Sequence, residues 1–247
     1  MEAASNVKLS KGLSRMARNK PVKPAKREDL TRKAYLGIRR MLFHNEIIPG
    51  QKLSYRDLAE RMGMSQTPVI QALKWLEFQQ LVRREPHRGY YTEPVSLQEV
   101  EEAYELRQLI EVSLLEKTAR RLAPDGLKQL EKALQSHLEA SREVYLSERL
   151  LRDRDFHLTL AGLSGCRVQV RTLNHLFDLL YMKYGGSILF STSMQKADAY
   201  HRAIYERIAA GDFEKASATL AEHISGVRRH VLSGLEKMIA EKKITAV

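Results

Sequence analysis

The spacing of apolar residues predicts a helical chain that is interrupted by one small hairpin. Apolar side chains recur at intervals of about 3.6 residues from near Asp29 to a turn at Pro49-Gly50, which predicts a first helix. Two shorter helices joined by a turn at Gly63 follow within residues 55–79. Two strand-like segments then flank a turn over Pro86–Gly89.

The two short helices have the pattern of a helix-turn-helix. Gly63 can take the left-handed conformation that ends the first helix, and Ser65 is a suitable N-cap for the second. The second helix has one apolar and one polar face, and in this motif the second helix enters the major groove of DNA. The basic hairpin that follows is typical of a wing that lies against the DNA backbone or the minor groove. The residues expected to contact DNA are Arg56, Ser65, Gln66, Thr67, Pro68, Ile70, Lys74, His87, Arg88 and Gly89.

From Ser96 the pattern remains helical almost to the end of the chain. Ser96 and Glu99 have the spacing of a capping box, and proline and glycine residues separate the segments that follow. The predicted helices span 97–122, 125–145, 147–163, 167–184, 193–210 and 213–240. The predicted fold is therefore mainly α, with an N-terminal winged helix-turn-helix and a C-terminal bundle of about six helices.

The charge differs between these two parts. Residues 1–94 hold 19 Lys and Arg against 9 Asp and Glu, whereas residues 95–247 hold 22 against 21. A basic N-terminal third suggests a nucleic-acid-binding module joined to something else. We therefore expect a disordered basic arm over residues 1–27, a DNA-binding domain over 28–94 and an all-helical domain over 95–247.

The composition argues against several other classes of protein. No run of about 18 apolar residues is present, so no membrane span is expected. The N-terminus lacks the apolar segment of a secretory signal. The single cysteine, Cys166, excludes an intrachain disulfide and fits a reducing compartment. We expect a cytoplasmic protein that has no membrane partner.

One carboxylate and three imidazoles in the helical part suggest a metal site. Asp153 and His157 are four residues apart and project from one face of a helix. His201 and His223 lie among apolar residues on later helices, so all three imidazoles should face the bundle interior. Such groups suit zinc, nickel or manganese. The alternative is that each is a hydrogen-bonded core residue. The remaining histidines of this part and of the first helix are interpreted as structural: His44, His137, His175 and His230.

Together these motifs resemble the GntR family of bacterial transcription regulators, in particular its FadR-like subfamily with an all-helical, FCD-type ligand domain. The resemblance runs through IIPGQKLSYRDLAERMGMSQTPVIQALKWLEFQQLV and HRGYY in the first part, and through AYELRQLIE, DRDFHLTLAG, HRAIYERIAAGDFEKA and EHI in the second. It covers about residues 30 to 235. It places Asp153, His157, His201 and His223 on the family's metal-ligand pattern, with zinc as the expected ion.

The resemblance also implies partners. It implies a homodimer that binds a palindromic operator in double-stranded DNA, and a small carboxylate effector that binds beside the metal. Arg107 matches an arginine that lines the pocket in similar proteins, whereas an exposed charge or a helix-pairing salt bridge is the alternative.

The recognition helix departs from the family pattern. Family members usually carry arginine where this chain has Gln66 and Ile70, while Arg56 and Gly89 are retained. Glutamine can pair with adenine and isoleucine can contact a thymine methyl group, so we expect an operator that is less centred on guanine.

The predicted function is a transcription regulator, not an enzyme, whose operator binding is modulated by the effector. Three alternatives stay open. A metal-dependent hydrolase fused to a DNA-binding module could activate water at the same ligands, although the sequence shows no separate general base. A regulator that responds to a fatty acyl thioester would need an apolar tunnel instead of a charged set. A constitutive DNA-binding protein would use the metal only for stability.

Overall fold

A computed structural model describes residues 24–140, 146–183 and 194–241, together with residues 243 and 246. Within this part of the chain nine helices and three short strands follow one another. Their bounds are α1 Pro24–Phe43, β1 Lys52–Leu53, α2 Tyr55–Arg61, α3 Gln66–Phe78, β2 Val82–Glu85, β3 Gly89–Thr92, α4 Leu97–Ala119, α5 Pro124–Ala140, α6 Leu146–Gly162, α7 Arg167–Lys183, α8 Met194–Ala209 and α9 Phe213–Ala240. The mainly helical fold that the sequence predicts is confirmed.

The first helix begins earlier than the pattern of apolar residues predicts. It starts at Pro24, not near Asp29, and so extends into the predicted arm. Proline is tolerated at the first helical position because the backbone donor that it lacks would have no partner there in any case. The rest of the predicted arm, residues 1–23, lies outside the described residues.

The helix-turn-helix is built from local signals. Ser54 caps α2 by accepting a hydrogen bond from the Asp57 amide at 3.2 Å. Gly63 has φ +62°, the left-handed conformation expected at the end of that helix. Ser65 precedes α3 with extended backbone, as predicted for an N-cap, but its side chain makes no capping hydrogen bond. The apolar face of α3 is then buried against α1.

The three strands form a small antiparallel sheet beside these helices. Their order is β1-β3-β2, and β2 and β3 are the two strands of the predicted wing. Arg83 on β2 lies opposite Tyr91 on β3, and Lys52 on β1 lies opposite Tyr91 on its other side. The sheet therefore holds the hairpin at a set position relative to α3.

The second part of the chain is a helical bundle. Ser96 accepts a hydrogen bond from the Glu99 amide at 3.2 Å, so the predicted N-terminal cap of α4 is confirmed. Helix α4 packs against α6, α7 and α9, and α5 packs against α6 and α8. The six predicted helices are present, although the ends predicted between residues 141 and 145 and between 184 and 193 lie outside the described residues. None of the helices in the described ranges is long and apolar enough to span a bilayer.

Candidate metal centre and nucleic-acid interface

The four predicted metal ligands converge inside the helical bundle. Helix α6 carries Asp153 and His157 one turn apart, α8 carries His201, and α9 carries His223. The Nε2 atom of His201 lies 3.2 Å from Nε2 of His157 and 3.2 Å from Nε2 of His223. It lies 3.5 Å from Oδ1 of Asp153. One candidate atom from each of the four residues thus lies within 4.8 Å of the others.

The donor set fits a divalent metal ion. A tetrahedral zinc site with bonds near 2.0–2.1 Å places its ligand atoms about 3.3–3.5 Å apart. The distances around His201 Nε2 are close to this value. One neutral imidazole nitrogen can donate only one proton, so three facing Nε2 atoms cannot all satisfy one another by hydrogen bonding. A cation bound between them would satisfy all three.

Two buried residues orient the imidazoles from behind. Glu111 on α4 lies with Oε2 2.6 Å from Nδ1 of His157, and His137 on α5 lies with Nε2 2.8 Å from Nδ1 of His201. With its Nδ1 proton donated to Glu111, His157 presents the lone pair of Nε2 to the cluster. His137 contacts Nδ1 of His201 in the same way, so Nε2 of His201 faces the cluster.

The carboxylate ligand is oriented in the same manner. The Tyr181 hydroxyl on α7 donates a hydrogen bond of 3.0 Å to Oδ2 of Asp153. This leaves Oδ1, the atom nearest the imidazoles, available to a metal ion.

The supporting residues Glu111, His137 and Tyr181 are not among the site residues predicted from the sequence. His137 was interpreted as an isolated structural histidine, but it is buried and contacts His201 directly. Glu111 could have been found, because it shares the buried face of α4 with Tyr104, Arg107 and Leu114 at helical spacing. A charged residue on such a face needs a buried partner.

For Asp153, His201 and His223, the shifts in pKa favour the protonation states that a metal requires. Burial lowers the pKa of His201 and of His223 well below the usual range, and the neighbouring histidines lower it further. Burial would raise the pKa of Asp153, but the interactions with His157 and Arg107 outweigh it, so the pKa is lowered. Neutral imidazoles and an ionised carboxylate are the metal-binding forms.

Arg107 lies beside this cluster and is only 2% exposed. Its Nε donates to Oε1 of Glu111 at 2.5 Å, and its guanidinium carbon lies 4.4 Å from the ring centroid of Phe177. Within the described residues, its Nη2 atom has no hydrogen-bond partner. The interpretation of Arg107 as an exposed charge is therefore wrong. A buried cationic donor without an acceptor is suited to bind an anion.

We expect Glu111→Gln to weaken metal binding. The amide carries no charge and no longer stabilises the Nδ1 proton of His157, so zinc affinity should fall by about 10- to 100-fold. Competition against a chromophoric chelator measures this affinity. Glu116→Gln, on the exposed face of the same helix, is the matched control and should bind zinc as the unaltered protein does. Equal affinities for the two variants would contradict the role assigned to Glu111.

A basic groove with a volume of about 960 Å³ lies between the recognition helix α3 and the wing. Seven of the residues predicted to contact DNA line it: Arg56, Gln66, Ile70, Lys74, His87, Arg88 and Gly89. Ser65 and Thr67 are exposed at the start of α3 but do not line this groove. Pro68 is buried, because the first turn of α3 packs against the core, and it is therefore not available to DNA.

Seven further residues that line the groove were not predicted, and Lys52, Tyr55 and Arg84 are among them. Lys52 lies on β1, Tyr55 is the first residue of α2, and Arg84 lies on β2. At the wing tip His87 has φ +61° and Gly89 has φ +103°, so the chain reverses tightly. Glycine adopts the second conformation without the strain that a side chain would cause.

This combination defines a class of protein. A winged helix-turn-helix presents a basic groove suited to duplex DNA, and a helical domain with a buried metal-ligand set follows it. Such a chain is a DNA-binding regulator with a sensor domain.

Comparison with known proteins agrees with this class. Residues 30–91 match the family described as bacterial regulatory proteins, gntR family, and residues 102–226 match the FCD domain. The chain belongs to the GntR family, in the group whose second domain is an FCD domain, and it is a DNA-binding transcription regulator.

Similar proteins include several regulators. The chain is 30% identical over 215 residues to the HTH-type transcriptional regulator LutR of Bacillus subtilis (strain 168), covering 78% of this chain and 97% of LutR. It is 24% identical over 208 residues to the uncharacterized regulator YdhC of the same organism, covering 82% and 91%. A GntR transcriptional regulator from Rhodococcus sp. RHA1 has the same fold, with a TM-score of 0.69 at 20% identity, over 83% of this chain and 98% of that protein.

Proposed function

We propose that the protein regulates transcription in the bacterial cytoplasm in response to a small carboxylate that binds beside a zinc ion in residues 95–247. The observation that carries this proposal is the convergence of three buried imidazole nitrogens and one carboxylate beside an arginine whose Nη2 has no partner in the described residues. The winged helix of residues 28–94 binds the operator DNA, and the carboxylate modulates this binding.

The charge of the site favours an anionic ligand. His157, His201 and His223 are neutral ligands, so Asp153 alone offsets the charge of a divalent ion and a net charge of about +1 remains. The charges of Arg107 and Glu111 offset each other, and Nη2 of Arg107 can still donate a hydrogen bond. A bound divalent ion supplies a Lewis-acidic position for one carboxylate oxygen, and Arg107 donates to a second anionic group.

The site argues against the alternative ligands and activities. A fatty acyl chain needs an apolar tunnel, whereas Glu111, His137 and Tyr181 contact the ligand set with ionised or polar groups. A hydrolase would need a general base, but the carboxylate nearest to His157, that of Glu111, already binds His157 and Arg107. We therefore propose a sensor domain without enzymatic activity.

We expect small carboxylates to stabilise the zinc-loaded protein against heat. A ligand that binds only the native state contributes about 2.7 kcal/mol at a hundredfold excess over its dissociation constant. A thermal-shift screen of mono- and dicarboxylates, with and without a chelator, measures the effect, and the chelator should abolish it.

Arg107→Gln tests the arginine in the same screen. This variant should keep its zinc-dependent stabilisation and lose most of the carboxylate shift. Zinc-dependent stability with no response to any acid would mean that the metal is structural. Zinc-dependent turnover of ester or amide substrates would favour the hydrolase alternative.

The groove predicts a mode of DNA reading in which affinity and specificity come from different residues. Lys52, Lys74 and Arg84 supply positive charge for phosphates, which carries no sequence information. Gln66 and Ile70 face the groove from α3, where glutamine suits adenine and isoleucine suits a thymine methyl group.

We expect binding-site selection to return a palindrome with A·T pairs at the central contacts. Gln66→Arg should shift the preference towards guanine, because arginine pairs bidentately with that base. Arg56→Gln should weaken binding to all sequences and lower the slope of log affinity against log salt by about one. Arg202→Gln, an exposed arginine on α8, is the control. Recovery of the guanine-centred operator common in the family would contradict this reading.

GntR regulators usually dimerise, and exposed apolar side chains on α4 and α7 suggest where this one does. Leu106 and Leu109 on α4 and Val168 on α7 are exposed, and Leu109 retains 70% of its accessible surface. The exposed edge of α4 is acidic, with Glu102 among its residues, whereas that of α7 is basic. A twofold axis would pair the acidic edge of one copy with the basic edge of the other.

We expect Leu109→Glu to shift the protein from dimer to monomer. A carboxylate buried between two copies would be desolvated without a partner, which opposes association. Analytical ultracentrifugation measures the change, and operator binding should weaken in parallel while zinc binding remains. Leu36→Glu, an equally apolar exposed position on α1, is the control. A dimer that persists in Leu109→Glu would place the interface elsewhere.

A further inference from the structure

Helix α7 contacts both the metal-ligand set and the DNA-binding domain. We propose that Asp178 and Tyr181 on this helix transmit the state of the metal and effector site to the recognition helix. This inference rests on the proposed function, because it concerns how occupancy of that site reaches DNA.

Asp178 joins three helices. Its Oδ1 accepts hydrogen bonds from Nη2 of Arg39 on α1 at 2.5 Å and from Nη2 of Arg154 on α6 at 2.9 Å. The Asp178 side chain is only 8% exposed, so these charges interact with little screening by water. Without the carboxylate, the two guanidinium groups would repel each other. Arg154 follows the metal ligand Asp153 directly in the chain, so one turn of α6 serves both the ligand set and the domain contact.

The hydrogen bonds continue from α1 to the recognition helix. Nη1 of Arg39 donates to the Tyr35 hydroxyl at 2.9 Å, and that hydroxyl donates to Oε1 of Gln79 at 2.8 Å. Gln79 is the C-cap residue of α3. A chain of side-chain hydrogen bonds therefore runs from α6, beside the ligand set, to the end of the helix that reads DNA.

Tyr181 provides a second and more direct connection. Its hydroxyl holds Oδ2 of Asp153, and its ring lies 6.2 Å from the ring of Phe43, the last residue of α1. Phe43 belongs to the hydrophobic core of the helical domain, whereas Met182, the next residue of α7, packs against the core of the DNA-binding domain. Each core thus receives a side chain from the other domain.

These contacts make α1 responsive to Asp153. A change in the position of this carboxylate alters the hydrogen bond to Tyr181 and moves the neighbouring Arg154 with it. Tyr181 contacts α1 through Phe43, Arg154 is linked to α1 through Asp178 and Arg39, and α1 packs along α3. Coupling between two sites requires contacts that differ between their states, and the α6–α7–α1 contacts supply them.

Hydrogen exchange of the full chain, with Zn²⁺ alone as the probe, tests the inference. We expect Zn²⁺ to change amide exchange in the C-terminal half of α1 and at the end of α3 by about fivefold, the lower end of usual coupling between sites. In Asp178→Asn the change at the end of α3 should be lost and the change in α1 should be reduced to the part that Tyr181 carries, while Zn²⁺ affinity measured by chelator competition stays within about twofold, because Asp178 is not a ligand. Asp155→Asn is the matched control: it removes an exposed carboxylate of α6 that pairs only with Arg152 among the ion pairs of the described residues, and it should behave as the unaltered protein does.

A milder variant guards against loss of folding. Tyr35→Phe removes one hydroxyl and keeps the ring, whose centroid lies 6.0 Å from that of Trp75. It should retain the Zn²⁺-dependent change in α1 and lose the change at the end of α3. If Zn²⁺ binds but exchange in α1 is unaltered, or if the change at the end of α3 survives in Asp178→Asn, the inference is wrong and the metal site stands. If Zn²⁺ does not bind the unaltered protein, the proposed function and this inference both fail.

Discussion

The helical domain depends on a buried network of charges at its centre. Arg107, Glu111 and His157 are almost completely removed from water, and each would be costly to bury alone. Glu111 resolves this by contacting the other two with its two oxygens. Burial would raise the pKa of Glu111, but Arg107 and His157 lower it below its usual range, so the group stays ionised. Loss of Glu111 would leave the buried charge of Arg107 without its carboxylate partner.

This network also prepares the site for its ligands. Because Glu111 uses one oxygen on Arg107 and the other on His157, the imidazole is held in the orientation that points Nε2 at the cluster. The same carboxylate satisfies one nitrogen of Arg107, and Nη2 remains for an anion. The two carboxylate oxygens of Glu111 therefore both stabilise the fold and orient the groups that bind ligands. A polar network of this kind can be rigid only if nearly all of its groups are satisfied, which explains why supporting side chains stand behind the imidazoles and the carboxylate.

The DNA-binding domain follows a different physical principle. Its positive charge lies on exposed side chains around a groove, where water and salt screen each pair and only the summed field matters. The two neutral side chains of α3 that line the groove, Gln66 and Ile70, can then be exchanged without loss of the fold, since neither belongs to the buried core. The members of an ion pair in the interior cannot be exchanged in this way, because each would leave its partner buried and unpaired. The partly buried contact of Asp178 with Arg39 and Arg154 lies between these extremes, where the two domains meet.

The sequence by itself determined the features that depend on neighbouring residues. Helical periodicity, the turn at Gly63, the cap at Ser96 and the spacing of Asp153 and His157 are local, so the helix-turn-helix, the bundle and this pair of candidate ligands could be predicted from it, whereas the assignment of His201 and His223 as ligands came from the family resemblance. Only the tertiary structure decided which distant side chains meet. Glu111 lies 46 positions from His157 in the chain, and His137 lies 64 positions from His201. Such contacts, and the burial of Pro68, follow from how the helices pack. The free energy that selects this packing is spread over the whole core, so it leaves no short-range pattern in the sequence.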